Sequence, residues 1–208
     1  MKNLLTVLVL ILTIQSQAQL SVGGVNLSNN KSQLFTITTK NGNTYTAKKI
    51  NPKNKELTFN TVDGDKKTIK LSQLDKIVSS GKKERHNYTQ KYIKYSKSRS
   101  DLMTEIISGK ISLYQRSKVS VNGHSNPAMS NMDPTFNTKN TDISYYIKKE
   151  DQNMAKYIKG NNIAYGRFKT NAIKFFSDCE SLVSKLKNND YKRKHLEEIV
   201  TYYNEKCE

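Results

Sequence analysis

The sequence predicts an α+β protein that begins with a small curled β-sheet or a barrel of the SH3 or Sm type. A mixed region follows and ends in a disulfide-linked helical pair. In residues 34–80, apolar and polar side chains alternate between short turn sequences, which is typical of strands. From Tyr165 onward the apolar spacing is helical, and this segment holds both cysteines of the chain, Cys179 and Cys207. We therefore divide the chain into a β unit and an α+β region, 81–208.

The first residues of the chain have the pattern of a secretion signal. Lys2 precedes an apolar run of eleven residues, and small side chains occupy positions −3 and −1 of a cut after Ala18. A membrane anchor is the alternative, but a bilayer-spanning helix needs about 20 apolar residues. We expect residues 1–18 to be removed on export to the periplasm, the cell surface or the medium. Residues 19–33 should form a flexible leader, and no later segment should span a membrane.

Lysine dominates the charge of the chain. Thirty lysines and five arginines stand against 18 acidic residues, and the formal net charge is +17. Such a charge favours anionic partners, although an AT-rich genome is a plainer source of the same composition. Surfaces that read phosphates and bases usually rely on arginine, and export separates the protein from cellular DNA. We expect the partner to be an envelope protein or an anionic envelope polymer rather than nucleic acid.

Five strands and one helical turn are expected in the β unit. Asp63 and Gly64 predict a tight hairpin, because both central residues of such a turn need positive φ. Residues 72–75 should form a single helical turn before the last strand. The expected strands cover residues 34–39, 44–50, 56–62, 66–71 and 76–79.

The basic and aromatic stretch at residues 82–99 is the first candidate contact region. Basic side chains between aromatic rings can stack on and neutralise a single-stranded nucleic acid. A strand with tyrosines on its two faces fits the same spacing, and we favour it. The candidate partner contacts here are Tyr88, Lys91, Tyr92, Lys94, Tyr95, Lys97 and Arg99.

A short helix is expected over residues 101–108. Ser100 fits its N-cap, and Asp101 and Glu105 suit the positive end of a helix. Gly109 would end the helix in a left-handed conformation.

A long loop is expected over residues 117–142, between a strand at 110–116 and a hairpin formed by 144–149 and 154–158. The loop contains two prolines and an Asn-Gly pair and has almost no apolar periodicity. Long loops often carry binding residues, so its histidine, His124, is the second candidate contact.

The two cysteines are expected to form a disulfide. Cys179 and Cys207 both continue apolar helical stripes, and disulfides persist in exported proteins. A pair of reactive or metal-binding thiols is the alternative. It would need further ligands, and no Cys-x-x-Cys pair occurs.

No motif for catalysis, metal binding or cofactor binding stands out. The histidines His86, His124 and His195 lack the four-residue spacing of a helical zinc pair, and no Gly-x-Ser-x-Gly elbow occurs. We expect a non-enzymatic interaction module without a cofactor. The alternatives are extracellular single-strand nucleic-acid binding and hydrolysis of cell-wall or polysaccharide material. Hydrolysis requires two carboxylates about 5–10 Å apart across a pocket.

Several segments together resemble a known family. They are residues 38–52, 56–59, 74–77, 102–114, 145–149, 176–179 and 203–207. In combination they resemble an uncharacterised family of exported envelope proteins of the Bacteroidota. In many of its members the module precedes an outer-membrane β-barrel, and we expect no barrel after Cys207 here. The resemblance covers about residues 33–207 and implies an envelope location, without an activity or functional residues.

Overall fold

One antiparallel sheet of ten strands, followed by three helices, makes up the described part of the chain. The computed structural model describes residues 33–122, 138–160 and 165–207. The α+β class is confirmed, with strands as the larger part. The expected signal peptide 1–18, nearly all of the 19–33 leader and His124 lie outside the described residues. None of the described helices combines the length and the apolar character needed to cross a membrane.

The strands lie beside their sequence neighbours with one exception. Their bounds are β1 Leu34–Thr39, β2 Thr44–Lys53, β3 Glu56–Thr61, β4 Lys66–Lys70, β5 Leu74–Ser80, β6 Tyr88–Lys94, β7 Ser100–Ile107, β8 Ile111–Asn122, β9 Thr138–Lys149 and β10 Lys156–Gly160. The order across the sheet is β10-β9-β8-β7-β6-β5-β1-β2-β3-β4. The exception is β5, which lies beside β1 rather than β4.

The first five strands curl around one apolar core. Alternation in β1 and β3 sends Ile37 and Phe59 inward, where they share a cluster with Leu74 and Ile77 of β5. A 3-10 turn, Leu71–Gln73, joins β4 to β5 close to the expected place. The curled sheet is therefore confirmed. The barrel alternative is wrong for the described strands, because β4 pairs only with β3 and ends the sheet.

The helix expected over 101–108 is wrong, because Ser100–Ile107 forms strand β7. This strand lies between β6 and β8 and pairs with both. Leu102 packs beside the N-terminal core, whereas Met103 is buried in a different cluster with Tyr114. An extended backbone sends adjacent side chains to opposite faces, which a helix does not. Burial on both faces therefore outweighs the capping pattern.

Strands β8 and β9 extend into the stretch that was expected to be a loop, 117–142. β8 continues to Asn122 and β9 begins at Thr138, so the loop prediction is wrong at both ends. Residues 123–137 lie outside the described part of the chain. From Ser117 outward, the two strands pair only with each other among the described strands, and we call this segment the β8–β9 arm. On this arm Lys118, Val119, Thr141 and Asp142 are all exposed, so adjacent side chains do not show the alternation of a half-buried strand.

Three helices, rather than the expected two, cover one face of β8, β9 and β10. They are α1 Tyr165–Phe175, α2 Glu180–Lys187 and α3 Leu196–Lys206. Their apolar sides bury Leu113, Ile147 and Ile158 of the sheet. Cys179 directly precedes α2 and Cys207 directly follows α3, and their Cα atoms are 5.6 Å apart in the predicted disulfide. The disulfide prediction is confirmed.

Asn204 fixes α3 to β8 through hydrogen bonds to the backbone. Its Oδ1 accepts a bond of 2.8 Å from the N–H of Ile111, and its Nδ2 donates one of 2.9 Å to the Ile111 carbonyl. The pairing of β7 with β8 starts at Leu113 and does not include Ile111. The side-chain amide of Asn204 therefore bonds to the Ile111 backbone where a further β7 residue would otherwise pair. Gly109 permits the approach, because a Cβ there would lie 2.6 Å from Asn204 Nδ2.

We expect Asn204→Ala to lower the free energy of unfolding by about 2–3 kcal/mol. The change leaves the N–H and C=O of buried Ile111 without these partners, and each unpaired buried group costs about 1–3 kcal/mol. Urea unfolding followed by circular dichroism measures the loss. The control Asn188→Ala removes an exposed amide at the end of α2 and should change stability by less than about 0.5 kcal/mol. Equal losses of unfolding free energy in the two variants would contradict the role of Asn204 in fixing α3 to β8.

Candidate functional site

The candidate residues of the 82–99 stretch divide between the two faces of the sheet. Tyr88 and Tyr92 pack against the N-terminal core, and burial raises the pKa of Tyr88. Tyr95 packs instead against the cluster around Met103. The three rings therefore form no common stacking platform. Among the candidate contact residues, the exposed ones lie at the end of β6 and in the β6–β7 turn: Lys94, Lys97 and Arg99.

Two cations on the face that carries Tyr95, Lys91 and Arg116, form ion pairs. Lys91 Nζ lies 2.8 Å from Glu105 Oε1, and Arg116 Nε lies 2.6 Å from Asp101 Oδ2. Burial opposes the charge of Lys91, but the hydrogen bond to Glu105 and the attraction of nearby negative charge together outweigh burial and raise the pKa of Lys91. The Arg116 guanidinium also lies 4.9 Å from the ring centre of Tyr95. These charges connect β6, β7 and β8 to one another.

Asp101 and Glu105 lie on the same face of β7 but lack the geometry of an acid–base pair. Four residues along a strand separate their Cα atoms by about 13 Å. Each carboxylate is also bonded to a cation. In the described ranges, no three His, Cys, Asp or Glu side chains are grouped so that they could hold a metal ion.

A third ion pair lies next to the disulfide and connects the segments around it. Lys149 Nζ lies 2.6 Å from Asp178 Oδ2, and the Tyr203 hydroxyl donates a 2.6 Å hydrogen bond to the same oxygen. Burial opposes ionisation of Asp178, but the two hydrogen bonds outweigh it and hold the pKa of Asp178 below its usual value. This arrangement connects β9 to the turn before α2 and to α3, so it belongs to the scaffold.

A second group of cations points to solvent from the outer face of β2, β3 and β4. The pairing register aligns the outward residues in three cross-strand ladders, and we call this surface the lysine face. The ladders are Lys49–Asn60–Lys66, Asn51–Thr58–Thr68 and Lys53–Glu56–Lys70. No apolar side chain belongs to it.

The lysine face places the Cα atoms of four lysines at the corners of a rectangle. Lys49 and Lys53 are four residues apart on β2, which corresponds to about 13 Å. Lys66 and Lys70 repeat this spacing on β4, two strands or about 10 Å away. All four lysines are exposed, and none belongs to an ion pair found among the described residues. Glu56, in the third ladder, partly offsets their charge.

The inward residues of the same strands explain why the lysines face outward. Ile50 of β2 pairs with Phe59 of β3, and both are buried in the N-terminal core. A register shift between Ala47 and Lys49 turns the following residues of β2 over, so that Lys49 lies outward although Ala47, two residues earlier, lies inward. The sequence signal for this surface was the repeated four-residue lysine spacing, although Lys53 lies beyond the strand expected at 44–50. That signal alone does not fix the register.

Comparisons of this chain with protein-family models, curated proteins and solved structures found no match.

Proposed function

We propose that the protein is a non-enzymatic interaction module of the cell envelope, and that its lysine face binds an anionic envelope polymer. The observation that carries this proposal is the ladder arrangement of Lys49, Lys53, Lys66 and Lys70. Four exposed cations lie on one polar surface, whereas Lys91 and Arg116, on the Tyr95 side, are held by carboxylates. The secretion signal pattern supports the envelope location.

The spacing of these charges suits an extended polymer better than a single small anion. The corners lie about 10–13 Å apart, which is more than the Debye length of about 8 Å at physiological ionic strength, so each lysine acts mainly on the anion next to it. A small anion therefore contacts one lysine, whereas a chain that lies on the face can contact all four. Lysine is a compact point charge and does not require the planar, two-acceptor geometry that arginine recognises. This chemistry favours a repeating carboxylate or phosphate polymer without sequence reading.

The β8–β9 arm supports an envelope protein as the second candidate partner. Its two strands pair only with each other among the described strands, so both outer backbone edges can accept a further strand. Val119, on this arm, exposes 55% of its surface. An exposed β-branched side chain beside an unpaired edge is typical of a strand-addition site.

We expect the protein to bind polygalacturonate, a polymer of carboxylates, and to bind dextran, a neutral polymer, at least tenfold more weakly. Because binding releases counterions, the logarithm of the affinity should fall linearly with the logarithm of salt concentration. By analogy with nucleic acids, a slope of about −3 corresponds to four neutralised charges. Isothermal titration calorimetry between 20 and 300 mM salt measures both quantities. Binding that is independent of salt, or equal for the two polymers, would contradict the proposal.

A further inference from the structure

A concave site opens at the turn between β1 and β2, on the inner side of the curled sheet. Its volume is about 380 Å³, at the small end of the 300–1,000 Å³ typical of small-molecule sites. The side chains that give it its chemistry are Asn41, Asn43, Tyr45, Ile69, Ser72 and Gln73. They come from three segments: the β1–β2 hairpin, β4 and the 3-10 turn before β5.

Hydrogen bonds hold the two polar walls of this site together. The backbone N–H of Lys40 donates to the Gln73 carbonyl at 2.8 Å, and Lys40 Nζ donates to the Ser72 carbonyl at 2.8 Å. On the hairpin side, the buried hydroxyl of Thr39 donates to Asn41 Oδ1. Gly42 makes the turn possible with a φ of +88°, where a side chain is strained. The walls are therefore positioned before any ligand arrives.

The apolar part of the site is formed by the Tyr45 ring and Ile69. The ring centre of Tyr45 lies 5.4 Å from that of Phe59 and 5.1 Å from Lys67 Nζ, so its orientation is fixed by the core and by a cation. Tyr45 remains partly exposed. It therefore offers an aromatic surface next to the amide groups.

We propose that this site binds one neutral sugar unit of a glycan. The side-chain amides of Asn43 and Gln73 make no hydrogen bond within the described part of the chain, and each can both donate to and accept from a sugar hydroxyl. An aromatic ring beside them suits the C–H face of a pyranose. The lining includes no carboxylate, and its one ammonium, on Lys40, is already bonded to Ser72. The site therefore selects hydroxyl groups rather than charge, and it is independent of the lysine face.

The test follows the side-chain amide signals of ¹⁵N-labelled protein during titration with methyl glucoside, methyl galactoside and N-acetylglucosamine. We expect at least one sugar to shift the signals of Asn41, Asn43 and Gln73, with a dissociation constant on the order of 1 mM. Tyr45→Ala should weaken this binding at least tenfold, and Tyr45→Phe should keep it within about threefold. Asn43→Ala, an exposed turn substitution, should weaken it about fivefold if Tyr45→Ala fails to fold.

Asn60→Ala is the matched control, because it removes an exposed amide of the lysine face and should leave sugar binding unchanged. Sorbitol at the same hydroxyl concentration should not shift the three amide signals. Equal shifts with sorbitol, no shift with any sugar, or undiminished binding by Asn43→Ala would overturn the proposal. Loss of the four lysines tests the polymer proposal and should leave this titration unaffected, so the two proposals can fail separately.

Discussion

Replacing Cys179 and Cys207 together with alanine should lower the free energy of unfolding by about 3–4 kcal/mol. The disulfide joins residues 28 positions apart, and loop-closure entropy for such a span gives this value. The cross-link restricts the unfolded chain, while in the folded protein it fixes the start of α2 to the end of α3. Alanine is preferred to serine because both cysteines are buried, and serine would place a hydroxyl group at each buried position.

Guanidinium unfolding of the oxidised protein and of the double variant measures this loss. The reduced wild-type protein is the control and should unfold close to the double variant, because both lack the cross-link. A difference of less than about 1 kcal/mol between the oxidised protein and the variant would contradict a stabilising role for the disulfide. Equal free energies of unfolding for the oxidised and reduced proteins would also contradict a stabilising role.

Phe176→Ala should cost about 3–5 kcal/mol, the largest effect expected from any single substitution considered. Phe176 is fully buried, and its ring centre lies 5.1 Å from that of Phe175 and 5.5 Å from that of Tyr203. It follows α1 directly and lies three residues before Cys179, so it fills the space between the first and third helices and the sheet. Removing the ring loses its transfer free energy and leaves a cavity that rigid neighbours fill only in part.

Phe176→Leu is the matched control, since it keeps an apolar side chain of similar bulk and should cost less than about 1.5 kcal/mol. Ser177→Ala, at the exposed next position, should be close to neutral. Chemical unfolding measures the loss of unfolding free energy in each of the three variants. A Phe176→Ala loss no greater than that of Phe176→Leu would mean that the helical cluster is not the close-packed core described above.

The local sequence pattern was sufficient to predict secondary structure where a segment is half buried or carries strong turn residues. The strands of the β unit alternate between core and solvent, so their approximate bounds could be predicted from sequence. The disulfide could be predicted from the secretion signal pattern and from the apolar positions of the two cysteines. Strand β7 was missed because the half-buried Leu102 and the buried Met103 lie on opposite faces, and adjacent apolar residues beside Ser100 also fit a capped helix.

The candidate site depends on strand register, which sequence pattern does not provide. Lys49 and Lys66 are 17 positions apart, as are Lys53 and Lys70, and they meet across β3 only because of the two turn lengths and the register shift after Ala47. The 82–99 stretch has a more conspicuous composition, but its tyrosines divide between two faces and Lys91 pairs with Glu105. Composition therefore identified a basic protein without identifying which basic surface is presented to a partner.

Polymer binding by two variants of equal charge tests the central claim most directly. One variant changes the lysine face to glutamine at Lys49, Lys53, Lys66 and Lys70. Its control makes the same change at four exposed helix-region lysines, Lys174, Lys187, Lys194 and Lys206. Each variant has four fewer positive charges than the unmodified protein, and at 150 mM salt only charges within about 8 Å of the polymer should matter.

Affinity for polygalacturonate should fall at least tenfold in the lysine-face variant, because each lysine beside an anionic surface contributes up to about 1 kcal/mol to binding. The helix variant should bind within about twofold of the unmodified protein. Equal reductions in the two variants would show that net charge alone drives binding. Unchanged affinity in the lysine-face variant would contradict the assignment of this surface.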